Sequence, residues 1–517
     1  MTVFTTAAGA VRGERTVRDP GIVRVLGIPY AAPPFGAARF REPLPPRPWS
    51  GVRRGDRFGP VAPQSAELPG APSWSPGDED VLTLNVWTPG ATGDRLPVLV
   101  WIHGGAYAFG SSAQPDFEGT ALAALGLVVV TFNYRVGFDG FGHVPGAPGE
   151  PDRPDGHNRG LLDQIAALEW VRDTIGVFGG DASRVTVAGQ SAGASSVACL
   201  MAMDRARGLF RRAVLHSPAN SCATAASAAR TTREIAGAAG LPATREALAA
   251  AGPGRLVAAT DAVVAAARKD PAAGQRHHDP AVHGPVVDGV TLRADPLTAA
   301  RSGAGAGVDV LVCRTTEEYA LMEAVGSSAR IPDDARLTAF ARDFDVPGPV
   351  IEGYRALLPD APAQRVYEVA YGDLLFAEYA DRLAEAYAAA GGTVHLARFD
   401  RRTGGEPPRP VRAWHCADIP FAFGNLDDER LHFLVGGAPG PADHELSARM
   451  AGAWADFAAT GDPGWAPLPA GAPAGCATEA AVHVWRAGDA EGEPATGASP
   501  GARRALWRGA ELPLLQP

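Results

Sequence analysis

The chain has 517 residues, 46% of them hydrophobic, and a formal net charge of −10 at pH 7. This length and apolar content suffice for a large folded core, and the acidic balance without a basic block argues against nucleic acid as a partner. No run of about 18 apolar residues is present, so the sequence predicts no membrane-spanning helix and no membrane partner.

The cysteines and the N-terminus bear on the cellular compartment. The five cysteines show neither the paired spacing of a metal site nor a disulfide pattern. They are Cys199, Cys222, Cys313, Cys416 and Cys476. The first six residues also lack the basic region followed by an apolar stretch that defines a signal peptide. We therefore expect a protein of the reducing cytoplasm.

Apolar runs in the first third of the chain predict buried strands. Residues 79–87 end in an alternating pattern, and residues 96–102 form a near-continuous apolar run that ends in His103-Gly104-Gly105. A further run at 127–132 predicts another buried strand. Apolar residues recur at helical spacing over 161–171, which predicts an amphipathic helix.

The stretch Val185-Thr-Val-Ala-Gly189-Gln190-Ser191-Ala192-Gly193 carries the strongest indication of chemistry. A short β-branched run is followed by a Gly-x-Ser-x-Gly turn and an apolar run rich in Ala and Ser. Strand, tight turn and helix in this order are typical of the nucleophile elbow of an α/β-hydrolase. The turn is sharp, so a Cβ atom at Gly189 or Gly193 would press on the neighbouring strand or helix.

The rest of the chain continues the alternation of strands and helices. Strands are predicted at 212–217, 308–312, 393–399 and 482–485, and a helix at 446–457. Such alternation predicts an α/β-hydrolase fold with a central, mostly parallel sheet flanked by helices. Residues 223–305, with a turn at 285–289, and residues 330–392 are mostly helical in pattern.

We expect a single domain over residues 1–517. Its catalytic core would comprise about 1–222, 306–330 and 393–517, and the helical blocks at about 223–305 and 330–392 would form a cap or regulatory region over the sheet edge. The sequence shows no internal repeats.

A serine nucleophile needs a base, a group that orients the base, and hydrogen-bond donors for the oxyanion. In α/β-hydrolases the acid and then the histidine follow the serine along the chain. His415, in a loop after a late strand, is the best-placed base, and Glu317 and Glu318 both follow the strand at 308–312. Backbone N–H groups of Gly104, Gly105 and Ala192 would form the oxyanion hole.

The chain resembles the type-B carboxylesterase/lipase family, which includes bacterial para-nitrobenzyl-type esterases, liver carboxylesterases and cholinesterases. The resemblance covers roughly residues 10–465 and rests on motifs that occur in the order seen in the family. They are Leu26-Gly-Ile-Pro-Tyr-Ala, Glu79-Asp80-x-Leu-x-Leu-Asn85-Val, His103-Gly-Gly, Asn133-Tyr-Arg-Val, Gly160-Leu-Leu-Asp163-Gln, Phe178-Gly-Gly-Asp181, Gly189-Gln-Ser-Ala-Gly193 and residues 454–463.

The resemblance assigns roles to individual residues. It implies that Ser191 is the nucleophile, His415 the base and Glu318 the acid, with Glu317 as an alternative because Tyr319 replaces the glycine that usually follows the acid. It implies an oxyanion hole of Gly104, Gly105 and Ala192, and a hydrogen bond from Ser217 near the acid. It further implies two structural ion pairs, Arg39 with Glu79 and Arg135 with Asp181.

Two departures from the family pattern modify these expectations. Val81 and Ala62 stand where secreted members carry the cysteines of their first disulfide, which fits a cytoplasmic enzyme. Gln190 precedes the nucleophile where cholinesterases have a glutamate. Because this removes an anionic group beside the site, choline esters are disfavoured as substrates.

The resemblance and the triad together predict a serine carboxylesterase. We expect it to hydrolyse small, soluble esters with short-to-medium acyl groups through an acyl-enzyme, without a metal or organic cofactor. The same triad could instead serve an acyltransferase, cyclase, lactonase or amidase. A non-catalytic binding module and an interfacial lipase are more remote alternatives. We expect a monomer or weak homodimer.

Five aromatic residues near the predicted site motifs are candidates for lining the substrate pocket. Core packing is the equally weighted alternative for each of them. They are Trp74, Tyr107, Phe109, Phe421 and Phe423.

Overall fold

The computed structural model describes most of the chain. The ranges it describes are residues 2–65, 72–90, 93–146, 156–278, 281–402, 412–471, 475, 477, 479–488, 498–512 and 514. Cys476 lies outside the described residues.

A mixed sheet of twelve strands forms the centre of the described chain. Its strands are β1 (Thr2–Thr5), β2 (Ala10–Arg15), β3 (Val23–Pro29), β4 (Val52–Arg54), β5 (Thr83–Thr88), β6 (Leu96–Ile102), β7 (Val128–Phe132), β8 (Gly180–Gln190), β9 (Arg212–His216), β12 (Asp309–Thr315), β13 (Val394–Phe399) and β14 (His483–Trp485). Their order in the sheet is β1-β2-β3-β5-β7-β6-β8-β9-β12-β13-β14, with β4 paired to β2. Neighbouring strands on the path from β1 to β7 are antiparallel, and those on the path from β7 to β14 are parallel.

A second, two-stranded sheet includes part of the predicted turn at 285–289. Ala223–Thr224 (β10) pairs in parallel with Val286–Val287 (β11). The sequence predicted only a turn at 285–289, because two residues are too few to show a strand pattern. The predicted strand at 79–87 likewise begins later, at Thr83.

The described helices lie between the strands and within the two helical blocks. They are α1 (Thr120–Ala124), α2 (Gly137–Phe141), α3 (Arg159–Thr174), α4 (Ala192–Ala202), α5 (Ala225–Ala238), α6 (Arg245–Ala250), α7 (Pro253–Lys269), α8 (Gln275–His278), α9 (Pro296–Arg301), α10 (Ala320–Ala324), α11 (Asp334–Asp343), α12 (Gly348–Leu357), α13 (Ala363–Gly372), α14 (Glu378–Ala389), α15 (Ile419–Phe423), α16 (His432–Val435), α17 (Pro441–Thr460) and α18 (Pro500–Leu506). None of them is long and apolar enough to cross a bilayer.

The sheet is buried on both faces, as its near-continuous apolar strands require. Along β6, Val98 and Val100 contribute to one apolar cluster with residues of α3, α4 and α14. Leu99 and Trp101 point the other way, into a second cluster with α15 and α17. Alternate side chains of a strand face opposite sides, so one strand supplies both cores. The α/β-hydrolase architecture predicted from the sequence is therefore confirmed.

The two ion pairs implied by the family resemblance are wrong in their partners. Arg39 pairs with Asp139 at 2.8 Å, and Glu79 is exposed. Arg135 pairs with Asp163 at 2.7 Å, with both side chains buried. Each arginine thus pairs with a buried carboxylate, as a buried charge requires. Both carboxylates lie on helices, and the order of residues along the chain does not reveal which helix packs against each arginine.

Asp181, the partner that the resemblance implied for Arg135, has a different role. It binds Arg95 at 3.0 Å and accepts hydrogen bonds from the backbone N–H and hydroxyl of Ser183. Asp181 therefore fixes the turn at the start of β8 rather than neutralising the buried Arg135.

Candidate active site

Ser191 lies in the turn between β8 and α4. Its backbone adopts φ 56° and ψ −126°, a conformation that side-chain-bearing residues rarely adopt and that often marks a functional turn. An ideal Cβ atom on Gly189 would lie 2.5 Å from the carbonyl carbon of Gly193, and one on Gly193 would overlap the carbonyl oxygen of Ile102. Strand, turn and helix thus approach too closely for a side chain at either glycine, as predicted.

The glycine turn after β6 lies directly beside the serine. A Cβ atom on Gly104 would lie 3.2 Å from Cβ of Ser191. Gly105 has φ +115°, and a Cβ there would overlap the carbonyl oxygen of Phe109. Within the described part of the chain, the N–H groups of Gly104, Gly105 and Ala192 donate to no protein acceptor. Three unoccupied N–H donors next to a serine hydroxyl are what an oxyanion hole requires.

His103 stabilises this turn from behind. Its ring stacks on Tyr134 at 4.5 Å, and its Nδ1 lies 2.8 Å from the carbonyl oxygen of Gly104. Burial lowers the pKa of His103 to about 4, against a smaller rise from that hydrogen bond. The ring is therefore neutral near pH 7 and orients the turn without adding a charge beside the site.

His415 and Glu318 are in direct contact. Nδ1 of His415 lies 2.7 Å from Oε2 of Glu318, and the backbone N–H of His415 also donates to the Glu318 carbonyl oxygen at 3.2 Å. The other carboxylate oxygen of Glu318 accepts from the Ser217 hydroxyl and from the Thr315 N–H, each at 2.7 Å. With both oxygens bonded and the side chain buried, Glu318 holds the imidazole in one orientation.

Glu317 points elsewhere. Its carboxylate binds Arg365 at 2.6 Å and lies 3.5 Å from Arg412. Of the two neighbouring glutamates that the sequence left as alternatives, the one that contacts His415 is therefore Glu318.

The neighbours of His415 shift the pKa of its imidazole. Burial alone would lower the pKa of His415, but interactions with the Cys416 side chain and with Glu318 outweigh burial, so the pKa is raised. Burial also raises the pKa of the Cys416 thiol. Because that thiol is neutral near pH 7, Glu318 is the anion that acts on the imidazole there.

The Nε2 atom of His415 contacts a side-chain amide rather than the Ser191 hydroxyl. Nε2 of His415 lies 2.9 Å from Nε2 of Gln190, and Gln190 is buried. Among the described residues, the Ser191 hydroxyl makes no hydrogen bond. The structure thus brings His415 against Gln190, the residue that directly precedes Ser191.

Phe376 covers one face of the His415 ring. Its ring lies 4.3 Å from the His415 ring, at an interplanar angle of 39°. Phe376 belongs to a single π-helical turn, Asp373–Ala377, between α13 and α14, and such turns are frequent at functional sites. No sequence pattern indicated this residue, because neither the π-helical turn nor its approach to a loop about forty residues later has a local signature.

The predicted pocket residues differ in their surroundings. Tyr107 is buried and packs on Phe141 at 4.6 Å, and Phe109 is half-buried in the oxyanion turn. Trp74 is half-buried and stacks on Phe35 at 6.1 Å. None of these contacts is with Ser191, Glu318 or His415.

Phe421 and Phe423 lie on α15 and are fully buried. Phe423 packs edge-on against Trp101 at 4.9 Å, and Phe421 packs on Phe399 at 5.1 Å. These are contacts of core packing, the alternative that the sequence left open for both residues.

The comparisons with known proteins agree with this arrangement. Residues 1–470 match the model of the Carboxylesterase family. A para-nitrobenzyl esterase of Bacillus subtilis is 34% identical over 479 residues, which are 89% of this chain and 90% of that protein. A fumonisin B1 esterase of Sphingopyxis macrogoltabida is 34% identical over 469 residues, which are 89% of this chain and 82% of that protein.

Solved structures show the same likeness. A carboxylesterase of Geobacillus stearothermophilus superposes with a TM-score of 0.80 at 36% identity, covering 98% of this chain and 100% of that chain. A para-nitrobenzyl esterase superposes with a TM-score of 0.78 at 33% identity, covering 90% and 93%. The chain therefore belongs to the carboxylesterase family and is a carboxylic ester hydrolase.

Proposed function

We propose that the chain hydrolyses small esters in two acyl-transfer steps with Ser191 as nucleophile, His415 as base and Glu318 as the residue that orients the base. The observation that carries this proposal is the buried Glu318–His415 contact of 2.7 Å beside a strained serine. The unoccupied N–H groups of Gly104, Gly105 and Ala192 serve as the oxyanion hole, where one donor is worth about 3 kcal/mol.

The first step forms the acyl-enzyme. Oγ of Ser191 attacks the ester carbonyl carbon while Nε2 of His415 takes its proton, so the amide of Gln190 releases that nitrogen when substrate binds. The carbonyl oxygen becomes an oxyanion on the three N–H groups. His415 then protonates the leaving alcohol, with Glu318 stabilising the imidazolium.

The second step releases the acid. A water molecule takes the place of the alcohol and gives a proton to Nε2 of His415 as it attacks the acyl carbon. The tetrahedral intermediate collapses, Ser191 leaves as the hydroxyl, and His415 returns the proton to it. No step requires a metal or organic cofactor.

The proposed substrates are uncharged esters with short-to-medium acyl groups. Gln190 places a neutral amide next to the base, so the site offers no anion there for a cationic substrate. Relatives are named for para-nitrobenzyl esters, for fumonisin B1 and, over 41% of this chain at 43% identity, for phenmedipham in Pseudarthrobacter oxydans. These names support a small-molecule ester as substrate.

We further propose a single domain with helical excursions, in a bacterial cytoplasm, as a monomer or weak homodimer. The absence of paired cysteine spacing in the sequence supports the compartment, and the matched relatives are bacterial. Sedimentation analysis over a range of protein concentrations would measure the oligomeric state.

The test is turnover of para-nitrophenyl esters from acetate to palmitate by the wild type and by Ser191→Ala. We expect the highest kcat/KM on the short chains and no turnover by the variant in an equally folded preparation. Undiminished hydrolysis by Ser191→Ala would refute the assignment. A burst followed by slow turnover would favour transfer to an acceptor other than water.

A further inference from the structure

A second histidine–carboxylate pair lies beneath the triad. Nδ1 of His216, the last residue of β9, hydrogen-bonds the carboxylate of Asp418, and both side chains are completely buried. Because a carboxylate only accepts, the imidazole N–H donates. We propose that His216 and Asp418 are a positioning pair that sets the distance between the nucleophile and the base. This proposal rests on the proposed function.

One end of the pair is attached to the nucleophile. The backbone carbonyl oxygen of His216 accepts the N–H of Ser191 at 2.9 Å. The next residue, Ser217, donates its hydroxyl to Glu318 at 2.7 Å and its N–H to the carbonyl oxygen of Cys313 at 2.7 Å. The end of β9 therefore contacts both the nucleophile turn and the acid.

The other end of the pair is attached to the base. Asp418 is three residues after His415 in the same loop and is the N-cap residue of α15. Its carbonyl oxygen accepts the N–H of Ala422 at 3.0 Å, which joins the loop to the helix. The side-chain bond between His216 and Asp418 thus tethers the His415 loop to β9, whose last carbonyl oxygen accepts the Ser191 N–H.

The need for such a tether is visible in the resting site. Ser191 and His415 share no hydrogen bond, and Nε2 of His415 faces Gln190 instead. The separation between nucleophile and base is therefore fixed by their supporting elements and not by a direct contact. A displacement of 1 Å between such groups can cost about 100-fold in rate.

Few other hydrogen-bond partners are available to His216 and Asp418. The Trp454 ring packs edge-on against His216 at 4.7 Å. Within the described residues, Nε2 of His216 and Oδ1 of Asp418 have no hydrogen-bond partner. The Cys313 thiol, which also interacts with Asp418, is only a weak donor. Loss of the bond to His216 therefore leaves the buried carboxylate poorly paired, which favours movement of the loop.

Cys313 also lies near the pair, and the three side chains together resemble a metal-ligand set. The geometry favours a hydrogen-bonded pair instead, because Nδ1 of His216 and one oxygen of Asp418 are already joined to each other. Burial, with the nearby Asp418 and Glu318 carboxylates, raises the pKa of the Cys313 thiol. Metals bind the thiolate, so this environment disfavours a metal site.

The test compares two amide substitutions at one position. The side-chain nitrogen of His216→Asn lies where Nδ1 lay and can still donate to Asp418, whereas that of His216→Gln reaches the place of Nε2. The readout is phosphorylation by diethyl para-nitrophenyl phosphate, which releases one para-nitrophenol per reactive serine. The amplitude counts intact sites, and the rate reports the alignment of serine and base.

We expect His216→Asn to react within about threefold of the wild-type rate, and His216→Gln about 10- to 100-fold more slowly at full amplitude. Asp139→Asn, which breaks the Arg39–Asp139 pair, itself buried, is the control for general destabilisation. It should lower the unfolding temperature without slowing phosphorylation.

Two outcomes would overturn the positioning role. They are wild-type rates in both His216 variants, and equal slowing of both at full amplitude. In either case the wild type would still be phosphorylated and Ser191→Ala would not, so the proposed function would stand. Failure of the wild type itself to react would instead refute the proposed function.

Discussion

At the residue scale, three side chains surround the imidazole of His415, the proposed base. Glu318 binds Nδ1 of His415 at 2.7 Å, Gln190 meets Nε2 at 2.9 Å, and the Phe376 ring covers one face at 4.3 Å. Only Glu318 brings a negative charge that supports the protonated imidazole. The neutral amide of Gln190 contacts Nε2 of His415 and adds no charge there.

Substitution of Gln190 by Glu should therefore change the pH profile. A carboxylate beside Nε2 stabilises the imidazolium and raises the pKa of His415 further. The catalytic form is the neutral base, so the acid limb of kcat/KM against pH should move to higher pH, and activity should recover above it. At a pH on that limb we expect a loss of about fivefold or more, since one pKa unit is tenfold in the ratio of protonation states.

Gln364→Glu is the matched control, since it adds the same charge on α13, where the side chain bonds Ser328 and the Ala329 carbonyl oxygen. Its profile should overlay that of the wild type. An unchanged acid limb in Gln190→Glu would show that Gln190 does not face the titrating base in solution.

At the element scale, the elbow depends on how closely three backbones approach. The Gly193 Cα lies against the carbonyl end of β6, one residue before the His103-Gly104-Gly105 turn. A shift at Gly193 would therefore displace Gly104 and Gly105, two of the proposed oxyanion donors. The strain in the elbow at Ser191 is maintained by this packing.

Gly193→Ala should accordingly affect both stability and catalysis. The added methyl overlaps the Ile102 carbonyl oxygen, which is backbone and cannot rotate away. Overpacking of this kind costs about 1–3 kcal/mol, and the displaced turn should lower kcat more than it raises KM. Thermal unfolding and steady-state kinetics measure the two effects.

Gly176→Ala is the comparison, because a Cβ there meets nothing within 4 Å. We expect it to unfold at the wild-type temperature or slightly above, with unchanged kcat. Equal behaviour of the two variants would contradict the close-packed elbow.

The elements that the sequence predicted well are those with a local pattern. The apolar runs at 96–102 and 127–132, the Gly-x-Ser-x-Gly turn and the strand before Glu318 all lie where expected. The partners of Arg39 and Arg135, the contact of Gln190 with His415, and the position of Phe376 were not predicted. Each of these depends on the approach of distant segments, for which spacing along the chain carries no information.

At the scale of the whole molecule, buried charge pairs tie separate segments to the sheet. Arg135, just after β7, binds Asp163 of α3 through its side chain and its backbone N–H. Arg314 of β12 binds Asp381 of α14 at 2.7 Å. These pairs lie within the protein, where loss of one partner leaves an uncompensated charge.

Asp163→Asn should destabilise the fold without altering the chemistry of the site. Breaking a buried pair from one side costs about 3–5 kcal/mol, which urea denaturation would show as a lower midpoint. The kcat per titrated active site should remain that of the wild type.

The exposed pair of Arg172 with Asp173 provides the contrast, with side chains 50% and 62% exposed. Asp173→Asn should change the free energy of unfolding by less than about 1 kcal/mol. Similar losses in both variants would mean that burial does not determine the value of these pairs.

The central claim is that Ser191 carries the covalent intermediate. The most direct measurement is peptide mass spectrometry of the enzyme after reaction with diethyl para-nitrophenyl phosphate. We predict one adduct per molecule, on Ser191, with esterase activity lost in proportion to labelling, and no adduct in Ser191→Ala. An adduct on another residue, or full activity in a fully labelled enzyme, would contradict the account.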